Sequence, residues 1–333
     1  MKIVVRTPNW LGDALMAFPA LTALRRHFPD DEISIIAPDG IGDLYSGPET
    51  EARSFHRGPS ARGSSLRRAA AELRNERFEA GLLLTNSFAS ALVFALARIP
   101  ERWGYARDGR GPLLTRRVRI RKSDEPVHMV RYYTDLMEGL GIPAPLPDIR
   151  LSVTEEEAAR GRDLLAEAGL DPRRPLIVLS PGAAYGPAKR WAPERFSALA
   201  RILQERHGAE IAVTGTAADR SAAAIICAGL GRPAADLTGK TTLRELLGVI
   251  QAAAVFVTND SGPMHLANAF RVPVVALFGP TDPAVTAPYH EPRIILKKDV
   301  VCWPCLYRAC PYDHRCLAGI PAEEAAEAAG SFL

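Results

Sequence analysis

Short apolar runs alternate with amphipathic stretches along most of the chain. The runs are rich in Val, Ile, Leu and Ala, which is typical of strands that are covered on both faces. Strands are predicted at residues 2–6, 32–37, 80–84, 175–180, 210–214, 253–257 and 272–278. Helices are predicted at residues 14–26, 65–75, 87–98, 128–140, 154–168, 193–206, 217–230 and 243–252. Because strands that alternate with helices form parallel sheets, the pattern predicts an α/β protein with helices on both sheet faces.

A proline-rich interval at residues 141–148 interrupts this alternation and contains few residues that build a core. The alternation restarts beyond it, and a chain of 333 residues is long for one core. We therefore expect two α/β domains, residues 1–147 and 148–333, with a cleft between them.

The stretch 258–265 is the most informative part of the second domain. It follows an apolar run and contains Gly262, so it indicates a strand, a tight loop and the start of a helix. The first amides of a helix attract an anion, and a glycine lets a phosphate approach the backbone closely. A well-capped helix with no ligand is the alternative for this loop alone.

Four side chains of this stretch have expected places. Ser261 is predicted to cap the helix, and Pro263 fits its first turn without wasting an amide. Asp260 and His265 flank the same loop, with His265 about one turn into the helix. The loop therefore combines an anion-binding backbone with an acid and an imidazole.

Two further polar turns follow predicted strands of the second domain. The loop 181–191 holds Lys189 and Arg190 among small residues, and a cation there suits a diphosphate. Asp219 follows the strand that ends at residue 214, where an acid can accept hydrogen bonds from ribose hydroxyls. Because the carboxyl ends of parallel strands meet at one sheet edge, the three turns together predict a nucleotide-diphosphate pocket.

The first strand of the chain is followed by the turn Asn9-Trp-Leu-Gly-Asp13. It lacks the pattern GxGxxG, so the fingerprint of dinucleotide binding is absent there. A lone Asp at such a turn is commonly a helix cap. Asp13 also stands at the carboxyl end of the first strand, where open sheets keep their sites.

Positive charge is concentrated in residues 51–122, which contain 16 Lys and Arg against 6 Asp and Glu, although the whole chain has a net charge of only +3. This asymmetry indicates an anionic partner or a solvated, Arg-rich surface. The most basic part, residues 107–122, is predicted to be a loop and contains no aromatic residue. Nucleic acid is therefore not the expected partner, because single strands are bound on interleaved aromatics.

The amino terminus has only three apolar residues before Arg6, so no signal peptide is expected. The longest apolar interval, residues 80–97, is broken by Thr85-Asn86-Ser87, and neither half is long enough to span a bilayer. Cytoplasmic localisation is therefore expected, and the cysteine usage agrees with it.

Four of the five cysteines lie close together in the chain, at Cys302, Cys305, Cys310 and Cys316. Thiols and the nearby His314 are ligands of the type that hold zinc or an iron-sulfur cluster. The second pair, however, is not spaced as in a zinc ribbon. A bound metal, reduced thiols and a disulfide all remain open at this point.

Four motifs together resemble the lipopolysaccharide heptosyltransferases of glycosyltransferase family 9, most closely the branch of ADP-heptose-dependent heptosyltransferases II. They are the 9–13 turn, the Pro-Gly-Ala…Gly-Pro-Ala-Lys-Arg-Trp loop, the run 259–265 and Cys302-Trp-Pro-Cys-Leu-Tyr-Arg-Ala-Cys-Pro311. They span essentially the whole chain in the family's order. The resemblance implies a GT-B fold of two Rossmann-like, doubly wound domains facing a cleft. The first domain would bind the acceptor and the second the ADP-sugar, and the C-terminal helix can pack back on the first domain.

The resemblance also implies a reaction and the residues that perform it. Heptose would pass with inversion from ADP-L-glycero-D-manno-heptose to the heptosylated inner core of lipopolysaccharide on lipid A. Asp13 matches the catalytic base of the family, and Lys189 would stabilise the departing ADP together with the amides around Ser261 and Gly262. No cofactor is implied.

Three further residues match donor-binding positions of the family. Asp260 would contact the heptose or orient the loop, His265 would lie on the diphosphate side, and Asp219 would hold the ribose. The sequence contains no Asp-x-Asp pair, so we expect the diphosphate to be held without a metal. The basic first domain suits an anionic acceptor, and contact with the cytoplasmic face of the inner membrane would be peripheral.

Two other assignments remain open. One is a sibling activity, heptosyltransferase I or another ADP-sugar transferase of the same family. The other is a UDP-sugar 2-epimerase, which shares the GT-B architecture, binds UDP and needs no separate acceptor. The basic first domain and the match at residues 9–13 favour the transferase.

Overall fold

The chain forms two α/β units in a computed structural model that describes residues 1–47, 54–55, 66–120, 125–145 and 148–333. The division falls after Ile149, so the units are Met1–Ile149 and Arg150–Leu333. Each unit contains one six-stranded sheet whose paired strands are all parallel. The predicted α/β class is confirmed.

The first unit is a doubly wound sheet. Its strands are β1 (Lys2–Arg6), β2 (Glu32–Ile36), β3 (Ser54–Phe55), β4 (Ala80–Leu83), β5 (Glu101–Tyr105) and β6 (Arg116–Val118). Its helices are α1 (Leu11–Met16), α2 (Phe18–His27), α3 (Leu66–Asn75), α4 (Phe88–Leu96) and α5 (Met129–Gly139). The strand order is β3-β2-β1-β4-β5-β6, as in Rossmann sheets, and it reverses between β1 and β4.

The second unit repeats this topology. Its strands are β7 (Leu176–Ser180), β8 (Glu210–Val213), β9 (Ala235–Asp236), β10 (Val255–Asn259), β11 (Val274–Phe278) and β12 (Arg293–Lys297). Its helices are α6 (Glu155–Glu167), α7 (Pro193–His207), α8 (Arg220–Ala228), α9 (Leu243–Gln251), α10 (Gly262–Ala269), α11 (Pro283–Thr286), α12 (Arg315–Ala318) and α13 (Ala322–Gly330). The strand order β12-β11-β10-β7-β8-β9 reverses between β7 and β10.

The core of the second unit explains its sequence pattern. Every residue of β7, β8, β10 and β11 is buried, because helices cover both faces of the sheet. The C-terminal helix α13 contacts α7 and β11 of this unit. Its buried side chains are all small, which allows close approach: Ala322, Ala325, Ala326 and Ala329.

Helix α9 leads into β10 and is fixed against α6 by close backbone contact. A Cβ atom on Gly161 of α6 would lie 2.4 Å from the carbonyl carbon of Gly248 in α9. Beside this crossing, Arg244 Nε donates to Glu157 Oε1 at 2.6 Å, and this hydrogen bond lowers the pKa of Glu157. The start of β10 therefore has a well-defined position.

The predicted elements omit the strands β3, β5, β9 and β12 and differ from the structure in two further places. β6 lies in the basic region that was predicted to be a loop, and two of its three residues are exposed arginines, as suits an edge strand. The predicted helix 14–26 is broken at Ala17, because Pro19 has no amide to donate and suits the first turn of a new helix. Arg121 and Lys122 of the basic region lie outside the described residues, as do residues 56–65.

The apolar interval 80–97 forms strand β4 and helix α4, as predicted. Helix α4, Phe88–Leu96, is far shorter than the roughly 20 residues that a bilayer-spanning helix needs. None of the helices that the structure describes combines the length and apolarity required to cross a membrane.

Candidate active site

The second sheet reverses its strand order between β7 and β10. These strands are hydrogen-bonded neighbours, with Ser180 in register with Thr258. The chain continues from β7 to β8 on one side and from β10 to β11 on the other. The loops that follow β7 and β10 therefore run in opposite directions. They leave a crevice outside the carboxyl ends of these two strands, where open α/β sheets bind ligands.

A buried ion pair joins the two loops at this crevice. Lys189 Nζ donates to Asp260 Oδ2 at 2.5 Å, and the two side chains are only 11% and 4% exposed. Lys189 ends a short 3₁₀ turn after β7, whereas Asp260 directly follows β10. The ammonium also lies 4.8 Å from the ring centroid of Tyr185, a distance that allows a cation–π interaction. The structure thus brings together two residues that the sequence analysis named separately.

Thr281 joins this cluster from the turn after a third strand, β11. Its hydroxyl donates to Asp260 Oδ2 at 2.5 Å, so one carboxylate oxygen accepts from both partners. Thr281 was not among the predicted site residues. The signal was available, because Thr281 closes the polar turn after the predicted strand 272–278, at the same sheet edge as the other three turns.

Asn259 connects the β7 and β10 loops through its side-chain amide. Its Nδ2 donates to the carbonyl of Pro181 at 2.7 Å, and its Oδ1 accepts from the amide of Trp191 at 3.0 Å. The side chain is fully buried. Because these bonds hold both ends of the loop 181–191, Asn259 limits where Lys189 can lie.

Helix α10 directs its amino end into the same crevice. Ser261 is its N-cap residue and Pro263 lies in the first turn, as predicted. The predicted capping bond of Ser261 is absent: its side chain makes no hydrogen bond to the first amides of α10, and its hydroxyl lies 3.3 Å from Thr258 Oγ1. The Ser261 side chain therefore does not occupy the first amides of α10, around Gly262, which are groups of the kind that bind an anion. His265 is buried in the first turns of the helix.

Asp219 lies in the loop after β8 and is 6% exposed. Its Oδ2 accepts from the Thr216 amide at 2.9 Å and from the Thr216 hydroxyl at 2.8 Å. Arg190 Nη2 lies 3.6 Å from Oδ1. A Cβ atom on Gly182 would lie 2.7 Å from Oδ2, so the loop after β7 packs directly on this carboxylate. Asp219 thus fixes the loop geometry, in addition to its predicted contact with ribose.

Asp13 belongs to the first unit, in the first turn of α1, which follows β1 after a four-residue turn at 7–10. Asp13 is not the N-cap residue of this helix, which is Trp10. A carboxylate in a first turn is stabilised by the helix dipole. Burial raises the pKa of Tyr133 in α5 well above its ordinary value, and the negative charge of Asp13 raises it further.

The cysteine region forms a small cavity in the second unit. Cys302, Cys305, Cys310 and Cys316 line it together with Ala188 and Pro280, and its volume is about 20 Å³. All five cysteines of the chain are free thiols, so no disulfide forms. Among the described residues, no three His, Cys, Asp or Glu side chains are arranged to hold a metal ion.

Comparison with known proteins agrees with this architecture. The lipopolysaccharide heptosyltransferase 2 of Salmonella typhimurium is 35% identical over 310 residues, which cover 89% of this chain and 88% of the relative. The protein of the same name from Escherichia coli is 36% identical over the same shares of both chains. The solved structure of E. coli ADP-heptose LPS heptosyltransferase II superposes with a TM-score of 0.84 at 30% identity, covering 100% of this chain and 98% of that chain.

A glycosyltransferase of family 9 from Veillonella parvula has the same fold, with a TM-score of 0.82 at 22% identity over 99% of this chain and 96% of that chain. The two doubly wound units are those of the GT-B fold. Residues 66–315 match the sequence profile of glycosyltransferase family 9 (heptosyltransferase), which is well over half of the chain. The chain therefore belongs to glycosyltransferase family 9 and is a glycosyltransferase.

Proposed function

We propose that this chain is an inverting heptosyltransferase that moves L-glycero-D-manno-heptose from ADP-heptose to the heptosyl-Kdo2-lipid A inner core of lipopolysaccharide. The observation that carries the proposal is the Lys189–Asp260–Thr281 cluster beside the amino end of α10. A cation and a helix amino end at a sheet crevice suit the diphosphate of a nucleotide-sugar. The names of the relatives support heptose as the sugar and lipopolysaccharide as the acceptor, and that of the E. coli structure supports ADP-heptose as the donor.

The second unit would stabilise the departing ADP. Negative charge builds on the diphosphate as the bond to the anomeric carbon breaks, and groups aimed at that charge lower the barrier. A lysine ammonium carries three donors, of which the bond to Asp260 uses one. The amides around Ser261 and Gly262 add a second contact, with His265 on the diphosphate side. Asp219 would hold the ribose.

Asp13 would act as the general base. It takes the proton from the acceptor hydroxyl while that oxygen attacks the anomeric carbon from the face opposite ADP. The carbon–oxygen bond to ADP breaks as the new glycosidic bond forms, so the configuration inverts in one displacement. One base suffices, and no covalent sugar–enzyme intermediate forms.

The first unit would receive the acceptor, which carries carboxylates and phosphates. Arg107, Arg117 and Arg119 are exposed on it and supply a matching positive surface. The lipid A portion would remain in the bilayer, with the enzyme in the cytoplasm and in peripheral, electrostatic contact with the inner membrane.

We expect the purified protein to transfer heptose from ADP-heptose to heptosyl-Kdo2-lipid A. Mass spectrometry should show the acceptor heavier by one heptose, with an equal amount of ADP released. Kdo2-lipid A without heptose is the matched control and should stay unmodified. Transfer to this control instead would assign the chain to the sibling activity, heptosyltransferase I. No transfer to either acceptor would contradict the proposed function.

A further inference from the structure

The segment 300–316 packs against the loop that carries Lys189. The carbonyl of Arg308 accepts from the amide of Ala188 at 3.0 Å, and Tyr185 Oη donates to the carbonyl of Leu306 at 2.6 Å. A Cβ atom on Gly186 would lie 2.3 Å from the Arg308 carbonyl oxygen, so only glycine permits this approach. One side of the cluster is therefore held by the segment.

The same segment also holds the turn after β11. The amide of Leu306 donates to the carbonyl of Pro280 at 3.0 Å, and Trp303 Nε1 donates to the carbonyl of Thr281 at 3.1 Å. The ammonium of Lys297 lies over the ring of Trp303, 3.8 Å from its centroid, and so helps to hold the ring in place. Its indole N–H is thus directed at the backbone of the residue that donates to Asp260.

These contacts form a continuous chain from Trp303 to Lys189. The indole fixes the Thr281 backbone, the Thr281 hydroxyl donates to Asp260 Oδ2, and the same oxygen accepts from Lys189. The position of the ammonium therefore depends on where that oxygen lies. Because Asp260 is almost fully buried, protein donors rather than bulk water set the direction of its carboxylate.

We propose that Trp303 is a positioning residue for heptose transfer. It fixes the position of the Lys189 ammonium through Thr281 and Asp260. It acts on the leaving-group side and contributes no charge of its own. The inference rests on the proposed function, since it assigns Trp303 a part in the site where ADP would leave. It also gives the segment 300–316 a role that needs neither a metal nor a disulfide.

The test compares Trp303→Phe, Thr281→Val and the double variant. Trp303→Phe keeps an aromatic ring against Lys297 but removes the indole donor. We expect it to lower kcat about tenfold, which corresponds to about 1.4 kcal/mol and lies at the upper end of the net contribution of a neutral hydrogen bond. In the Thr281→Val background, the same replacement should cost almost nothing further, because the link to Asp260 is already gone. Thr281→Ser, which keeps the hydroxyl, should retain most activity.

The matched control is Tyr312→Phe, an aromatic replacement on the same segment at a side chain that is 63% exposed, and its kcat should be unchanged. Thermal midpoints and ADP affinities of all variants separate loss of folding from loss of positioning. Wild-type kcat for Trp303→Phe, or an equal loss in both backgrounds, would overturn the inference. If the wild-type protein transfers no heptose, the proposed function fails instead, and ADP affinity measured through the same cycle still tests the coupling.

Discussion

Replacement of Asp13 by alanine should reduce heptose transfer by about 10² to 10⁴-fold, which is the usual contribution of a general base. The carboxylate lies in the first turn of α1, at the carboxyl end of the first strand of its sheet. Without it, the acceptor hydroxyl must lose its proton to water, and the attacking oxygen is a weaker nucleophile. The variant should bind ADP normally, because the Lys189–Asp260–Thr281 cluster belongs to the second unit. Turnover by mass spectrometry and ADP binding by calorimetry test both halves of this prediction.

Asp39→Ala is the matched control. Asp39 is an exposed carboxylate just beyond the end of β2, so it shares the sheet edge but has no assigned role. Its variant should turn over like the wild type. Near-normal turnover by Asp13→Ala would eliminate the base assignment, and loss of ADP binding together with activity would indicate a folding defect.

Replacement of Lys189 by methionine should produce the second large effect. Removal of the ammonium withdraws one charged contact from the departing diphosphate, and we expect kcat to fall by about 10² to 10³-fold. It also leaves Asp260 as a buried carboxylate that retains Thr281 but has lost its cation. Breaking one side of a buried ion pair typically lowers the free energy of unfolding by about 3–5 kcal/mol. Denaturant unfolding and steady-state kinetics measure the two effects separately.

The double variant Lys189→Met with Asp260→Asn distinguishes the two effects. It removes the stranded charge, so most of the stability should return, whereas transfer should remain low. Lys240→Met is the surface control, since Lys240 is 56% exposed and its ion pair with Asp236 spans 3.9 Å. Recovery of activity in the double variant would show that Lys189 acts only through stability.

The sequence pattern predicts the strands that are buried on both faces better than it predicts short strands at the sheet edges. β7, β8, β10 and β11 are buried on both faces, so burial imposes the apolar runs by which they are recognised. β6 and β9 are short strands at sheet edges and have no such run, because an edge strand need not be apolar. The order of the strands in each sheet does not follow their order in the chain, so a local pattern does not predict it.

The sequence predicts which residues belong to the candidate site, but not which of them contact each other. Lys189 and Asp260 each followed a predicted strand, yet they are 71 positions apart in the chain. Their ion pair depends on the pairing of β7 with β10, which no local pattern encodes. Ser261 is the N-cap residue that residue preference predicts, but its hydroxyl lies beside Thr258 Oγ1 and makes no capping bond. Local propensity is a weak guide where a loop is shaped by its neighbours.

The cysteine region illustrates the same limit. Cys-x2-Cys spacing suggested metal ligation, whereas the folded segment contains free thiols around a small cavity and attaches through Trp303, Leu306 and Arg308 to two loops of the site. Backbone amides and carbonyls make most of these attachments. Because every residue except proline has both groups, sequence alone cannot identify such contacts.

Calorimetric titration of the purified protein with ADP and with UDP, each with magnesium and with EDTA, tests most directly whether the second unit is an ADP-sugar site. We expect ADP to bind with the same affinity in both buffers, because Lys189 and the amides of α10 would neutralise the diphosphate without a metal. UDP should bind much more weakly. Preference for UDP would indicate the epimerase alternative or another sugar-nucleotide enzyme. ADP binding that requires magnesium, or no binding of either nucleotide, would contradict the assignment of the β7–β10 crevice.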